Sequence, residues 1–462
     1  MNRLAAVAAP VLLSACSMAP AYHPPQTATP PAYKEVAGWT EATPLDAAPR
    51  AAWWEAFGDP VLNDLEVRAE KASPTLAAAL ARYDQARAAA RVERADLFPA
   101  ITAGADASRQ RVSGTRFGGD GSPRTYSDFS VGGALDYELD LWGRIRNGVA
   151  AARADAEASA ADLASARLSL QASVADAYAR LRGLDAQADL LHQTVDAFGK
   201  AYDLTVRRHD GGIASGIDVN RAMTVLGNAR AQISAVAAER AATEHEIAAL
   251  VGEIASDFSI APEVQPLAAP DLPAGTPSEM LQRRPDIAAA ERRIAAANAR
   301  IGVARAAFFP TLTLGSGAGF ETTHGHLFQT PNSFWGLGPL SAVLTLFDGG
   351  RRASEVKMSR AEYDELAAGY RDIVLGAFRQ TEDAIAANRL LAVQAADQHT
   401  AAEAAARTSA LALIRYRNGA SDYLEVVTAQ TEALDAQRAS LGLETQIMRS
   451  RVALVKAIGG GA

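Results

Sequence analysis

Asp218 and Glu425 close two similar stretches of chain, Asp210-Gly211-Gly212-Ile213-Ala214-Ser215-Gly216-Ile217-Asp218 and Arg417-Asn418-Gly419-Ala420-Ser421-Asp422-Tyr423-Leu424-Glu425. The chemistry open to such a pair is electrostatic. Carboxylates gathered at a constriction draw cations. Acids also simply favour the positive end of a helix. Ser215 and Asp422 suit helix N-caps, and the glycines before them suit helix C-caps. Other chemistries have little support. The neighbours His209-Asp210 sit at a turn, and Gly315-Ser316-Gly317-Ala318-Gly319 is not a dinucleotide fingerprint. No residue has the setting of an activated nucleophile, so no catalytic residue is assigned. A single cysteine, Cys16, excludes an internal disulfide and a cysteine metal cluster, and six scattered methionines offer no soft-metal path. The net charge of −8 argues against nucleic acid as a partner.

The elements that must carry these turns are marked out by proline. None lies between Pro123 and Pro262, and none follows Pro339. Both stretches are rich in strong helix formers, and a helix interior excludes proline. The chain is also duplicated. Pro74 and Pro285 stand 211 residues apart (285 − 74), as do Phe98 and Phe309 (309 − 98). Further on, Arg144 pairs with Arg351, and Asp218 with Glu425, at an offset of 207 (351 − 144 and 425 − 218). Self-similarity on this scale means a repeated architecture.

Each copy reads as a helix, two strands and two long helices. Repeat 1 covers 59–255: a helix starting at Asp59-Pro60 and ending near Asp96, strands at about 101–112 and 126–141, and helices at about 144–208 and 217–251. Phe129, Val131, Leu135, Tyr137 and Leu139 alternate with polar and acidic residues, which fits a strand between lipid or core and water. A proline-rich linker is expected at 256–277. Repeat 2 covers 278–462, with strands at about 311–323 and 333–347 and helices at about 351–416 and 422–458; its second strand alternates poorly. Val427, Leu434, Leu441, Met448 and Val455 recur every seven residues, a coiled-coil seam. Four strands cannot close a barrel and an open edge cannot survive in hydrocarbon, so strands in a membrane require several chains, and three would supply twelve strands.

The amino terminus has a short positive and apolar stretch ending in Leu13-Ser14-Ala15-Cys16, which reads as a signal peptide over 1–15. It resembles a bacterial lipobox. The resemblance implies lipidation of Cys16, and Ser17 after it favours the outer membrane. Residues 16–58 then form a lipid-anchored extended segment.

Three further motifs carry a family resemblance. They are Ala52-Trp53-Trp54-Glu55-Ala56-Phe57-Gly58-Asp59-Pro60, Leu281-Gln282-Arg283-Arg284-Pro285-Asp286-Ile287 and Phe347-Asp348-Gly349-Gly350-Arg351-Arg352. In this order they resemble the TolC-like outer-membrane efflux factors, in the OprM/NodT-type lipoprotein branch. The resemblance implies an α+β membrane protein: a homotrimeric twelve-stranded β-barrel continued by a long periplasmic α-helical barrel. It implies an outer-membrane exit duct for small toxic compounds, without a cofactor or metal. The expected partners are a periplasmic membrane-fusion adaptor and an inner-membrane pump of RND type. A duct for type I protein secretion is the alternative. By the same resemblance, Asp218, Glu425 and Tyr416 form the periplasmic gate. Gly211, Gly212, Ile213, Gly419, Ala420 and Ser421 form the tip that meets the adaptor. Thr428 and Ser421 stand where some family members carry an acid and a base.

Overall fold

The computed structural model describes residues 17–25, 33–34, 52–115, 121–264 and 283–460. Cys16 lies outside them, as do parts of the loop at 113–125 and of the linker at 256–277. Repeat 1 contains α1 (Pro60–Ala72), α2 (Pro74–Ala95), β1 (Ala100–Val112), β2 (Arg124–Glu138), α3 (Arg144–Asp210) and α4 (Gly216–Leu250). Repeat 2 contains α5 (Pro285–Ala306), β3 (Thr311–Thr322), β4 (Ser333–Val343), α6 (Arg351–Arg417) and α7 (Tyr423–Ala457). The chain divides into two compact units. Unit one holds Met1–Gln26, Arg82–Ala160 and Ala289–Tyr370; unit two holds Thr27–Ala81, Ala161–Ala288 and Arg371–Ala462.

Three elements differ from the reading of the sequence. The helix expected from Asp59 to near Asp96 is two helices. Ser73 adopts extended backbone (ψ 122°) and Pro74 starts the second, because the residue before proline is pushed out of the helical region. The strand expected over 126–141 ends at Glu138. Beyond it the Asp140 carboxylate accepts from the Arg146 backbone N–H (2.9 Å), and Gly143 turns the chain at φ 77° into α3. The strand expected over 333–347 stops at Val343. Its poor alternation has a cause: the register with β3 slips between Leu314 and Ser316, so side chains on either side of that bulge change faces.

Unit one is built round an antiparallel sheet in the order β1-β2-β3-β4. The central pairing, β2 with β3, joins the two repeats. A Cβ on Gly319 would stand 2.3 Å from the Val131 carbonyl oxygen and 2.6 Å from Gly132 Cα, so the close approach of β2 requires glycine at that position of β3. The sheet leaves Ile101 (77% exposed), Trp335 (83%) and Leu337 (77%) uncovered, a surface that water does not favour.

Unit two has a core of Trp53, Phe57, Leu62, Leu65, Val174, Tyr178, Ile247 and Val452. Trp53–Phe57 is a short 3₁₀ turn, so the end of the expected extended segment is folded. Asp59 caps α1, accepting from Val61 N (2.7 Å) and Leu62 N (3.0 Å), and its other oxygen accepts from the Tyr178 hydroxyl (2.7 Å). The buried Asp185 carboxylate accepts from Arg182 (3.0 Å) and Arg240 (2.6 Å). Arg240 also donates to the Ile260 carbonyl (2.7 Å), so the start of the expected linker is pinned to the helices. Glu66 is buried in the same core, and neither carboxyl oxygen has a hydrogen-bond partner. Desolvation, reinforced by Glu70, pushes its carboxyl up to about 9.

Candidate gate at the helical-hairpin turns

Both hairpin turns belong to unit two, and each closes its first helix in the same way. Gly212 takes φ 74°, with Gly212 N donating to His209 O (2.8 Å) and Ile213 N to Arg208 O (2.8 Å). Gly419 takes φ 76°, with Gly419 N donating to Tyr416 O (3.0 Å) and Ala420 N to Arg415 O (2.9 Å). These paired bonds define a Schellman motif, and the left-handed residue they need is glycine in both turns.

The returning helices are capped by Ser215 and Asp422. Asp218 and Glu425 each stand at the third helical position, yet their carboxylates are used differently. Asp218 completes a capping box: it accepts from Ser215 N (3.2 Å) and Ser215 Oγ (2.8 Å), while its own N–H donates to Ser215 Oγ (3.2 Å). Glu425 only lends its N–H to Asp422 Oδ1 (3.1 Å), and its carboxylate lies 3.4 Å from the Arg415 guanidinium. Each of these two acids is thus held within its own hairpin, Asp218 by Ser215 and Glu425 by Arg415.

Behind the turns the two hairpins meet. Tyr416 is buried (3% exposed) and packs edge-on against Tyr423, with ring centroids 5.2 Å apart. Its hydroxyl lies 3.4 Å from Thr205 Oγ1 of α3. Arg208, also on α3, sets its guanidinium over the Tyr416 ring at 4.5 Å and donates to the Tyr416 carbonyl. Burial and the neighbouring Tyr416 push the Tyr423 phenol up to about 12, so it stays neutral. Ala201, Ala222, Val426 and Ala429 fill the rest of the cluster.

Of the tip residues singled out in the sequence, Gly211, Gly212, Ile213, Gly419 and Ala420 are exposed. Ile213 is 70% exposed, unusual for isoleucine in a water-facing turn. Ser421 is half-buried, and its Oγ has no hydrogen-bond partner. Sequence reasoning missed Arg208, Thr205 and Tyr423. Two signals could have found one each. Tyr416 and Tyr423 are seven apart, and Arg208 matches Arg415 at the repeat offset of 207 (415 − 208).

A duplicated strand-pair and helical-hairpin chain with an apolar sheet surface has the make-up of an outer-membrane channel. The family model described as outer membrane efflux protein matches residues 65–253 and 276–460, and the chain belongs to that family. The toluene efflux pump outer membrane protein TtgC of Pseudomonas putida is 33% identical over 455 residues, covering 97% of this chain and 93% of the relative. The pyoverdine export outer membrane protein OpmQ of Pseudomonas aeruginosa is 33% identical over 469 residues, covering 100% and 97%. The outer-membrane channel OprN superposes with a TM-score of 0.88 at 31% identity, over 96% of this chain and 99% of that one. The chain is therefore an outer-membrane efflux channel component, and its fold class is the trimeric β-barrel continued by a long helical barrel.

Proposed function

We propose that the chain is a passive exit duct for small toxic compounds, shut at its periplasmic end by the paired hairpin turns. The reading takes three chains to close a twelve-stranded barrel. It takes Cys16 as the lipid anchor, and a periplasmic adaptor and an inner-membrane RND-type pump as the partners that deliver cargo. The adaptor meets the exposed turns at Gly211, Gly212, Ile213, Gly419, Ala420 and Ser421. The gate consists of Asp218, Glu425 and Tyr416, and Arg208 joins it.

One observation carries this reading: behind the turns the hairpins are joined by a polar pin, Arg208 to Tyr416, set in a cluster of mostly small apolar side chains. Arg208 over Tyr416 and the Tyr416 hydroxyl at Thr205 are the polar contacts that would have to part for the turns to separate. The acids in front of it supply the field for passing cations. Single-channel recording in a planar bilayer tests the assignment, comparing the parent with Asp218→Asn/Glu425→Gln. The asparagine keeps the cap while removing charge. Reduced cation preference and weaker block by multivalent cations are expected. Unchanged selectivity and block would sink the acidic gate.

A further inference from the structure

The register of the sheet in unit one sorts its side chains onto two faces. Asp106 lies opposite Ser130, and Ser130 opposite Glu321, so these share one face, together with Asp128 and Asp136. Ile101, Val131, Leu135, Leu314, Phe320 and Trp335 share the other. In an outer-membrane barrel the apolar face meets lipid and the polar face lines the lumen. The Gln110 side chain donates to the Tyr126 hydroxyl (2.7 Å) on the lumen face.

The apolar band on the lipid face has a definite height. Tyr137 and Phe129 are eight residues apart on β2 (137 − 129), which is about 27 Å along the strand and about 21 Å along a barrel axis at a tilt of roughly 40°. The apolar band of such barrels is about 25 Å tall. Ala107 of β1 lies opposite Phe129, and the next two positions on this face of β1 are Arg109 and Arg111. Ser127 and Thr125 stand opposite them. Both guanidinium groups are exposed, and among the described residues neither has a hydrogen-bond or ion-pair partner. Asp106 and Asp128, close by in register, point to the lumen. The helix-proximal end of the sheet is different. There Arg144 binds Glu138 (2.8 Å), Arg146 binds Asp140 (3.2 Å) and Arg352 binds Asp348 (2.5 Å).

Two unpaired arginines on the lipid side, at the margin of the hydrocarbon, call for an anion. Guanidinium matches phosphate with paired donors. Alternate strand positions set the two about 7 Å apart, with the Ser127 and Thr125 hydroxyls roughly 5 Å away across the pair. The helices of the periplasmic barrel join the strands at the far end, so Arg109 and Arg111 stand at the outer leaflet. Phe328, in the loop after β3, packs edge-on against Phe320 on the same face, with ring centroids 5.6 Å apart, and aromatic rings favour a water–lipid margin. We propose that Arg109 and Arg111, with Ser127 and Thr125, bind the phosphate groups of an anionic lipid of the outer leaflet. A lipid fits better than a soluble anion because hydrocarbon adjoins the site. Below Arg109 the same face of β1 carries Ala107, Ala105 and Ala103, a shallow track beside the bulkier Phe129 and Val131 along which an acyl chain can lie. A lipid held there fixes the depth of the barrel in the membrane.

Native mass spectrometry of the assembled full-length protein, titrated with diphosphoryl lipid A, its monophosphoryl form and an uncharged diacylglycerol, tests the site. The parent is expected to bind the diphosphoryl lipid most tightly and the diacylglycerol least. Arg109→Gln/Arg111→Gln should weaken binding of the diphosphoryl lipid about tenfold or more. Lys357→Gln, at an exposed base of α6 in the same unit, should leave it unchanged. Where the glutamine variant fails to assemble, Arg109→Lys/Arg111→Lys decides: it keeps the charge without the planar fork, so affinity should fall about threefold. Parental affinity in either double variant overturns the site, as does a parent that binds the three lipids alike. Displacement of the lipid by an equal concentration of inorganic pyrophosphate would make this a site for soluble anions and overturn the lipid assignment.

Discussion

Arg208 and Arg415 occupy equivalent positions of the two repeats, yet their guanidinium groups have different partners. Arg208 crosses to the other hairpin, over the Tyr416 ring at 4.5 Å and onto the Tyr416 carbonyl. Arg415 folds back on its own turn, 3.4 Å from Glu425 and 3.5 Å from the Ala420 carbonyl. Duplication supplied two equal arginines. One became a pin between hairpins and the other a brace within one.

Removing the pin should favour the parted state. Arg208→Ala forfeits a cation–π contact and a charged hydrogen bond, together about 1–3 kcal/mol, or roughly a 5- to 150-fold change in the closed-to-open ratio. Arg208→Lys should retain part of it, since lysine keeps the charge but not the planar fork. Open probability in single-channel records is the measurement. Arg415→Ala is expected to change selectivity more than opening, because its partner Glu425 would be freed.

The capping box makes a separate prediction. Ser215→Ala should cost about 0.5–2 kcal/mol in the first turn of α4, because the Ser215 Oγ bonds to Asp218 N and to the Asp218 carboxylate are lost. Hydrogen exchange of residues 216–220 should rise accordingly. Glu425→Gln should leave the equivalent turn of α7 in place, since the Glu425 side chain caps nothing there.

Glu66 gives the fold a pH dependence. Its carboxyl is raised from 4.5 to about 9 in the folded chain, so the neutral form favours folding. This contribution is fully present below pH 4.5 and is lost progressively as pH rises to about 9. Glu66→Gln, which cannot ionise, should be more stable than the parent at pH 8 by a few kcal/mol (~1.4 kcal/mol per pH unit) and gain nothing near pH 4. Denaturant midpoints across that range decide it. Equal midpoints at pH 8 would mean that the carboxyl is not held in an apolar site.

Gly252 is a point of backbone constraint. It takes φ 76°, and a Cβ would lie 2.3 Å from the Ala72 carbonyl oxygen. Gly252→Ala should destabilise unit two by at least about 1–3 kcal/mol, read as a lower melting temperature, because left-handed backbone and close approach act together.

The long helices and the turns were legible because proline, glycine and seven-residue spacing act locally. The break at Pro74 was not, because the reading followed helix formers to the stronger stop at Phe98-Pro99. The poor alternation of β4 became intelligible only with the bulge opposite Ser316. At the gate, Asp218, Glu425 and Tyr416 stood out by position. Their partners did not, since nothing in a linear pattern says that Arg208 reaches Tyr416 while Arg415 stays at home. The distinction arises from packing between distant segments, and two equivalent residues resolve it in opposite ways.

The β2–β3 pairing also governs the order of events during biogenesis. Phe129 lies opposite Thr322 and Glu138 opposite Thr313, so the middle of the sheet joins residues 193 and 175 positions apart (322 − 129 and 313 − 138). Closing so long a loop carries an entropic cost before any pairing rewards it. The β1–β2 ribbon alone is at best marginally stable in water. Neither repeat can therefore complete its part of the sheet alone. The four-stranded sheet can therefore be completed only after the second repeat has emerged.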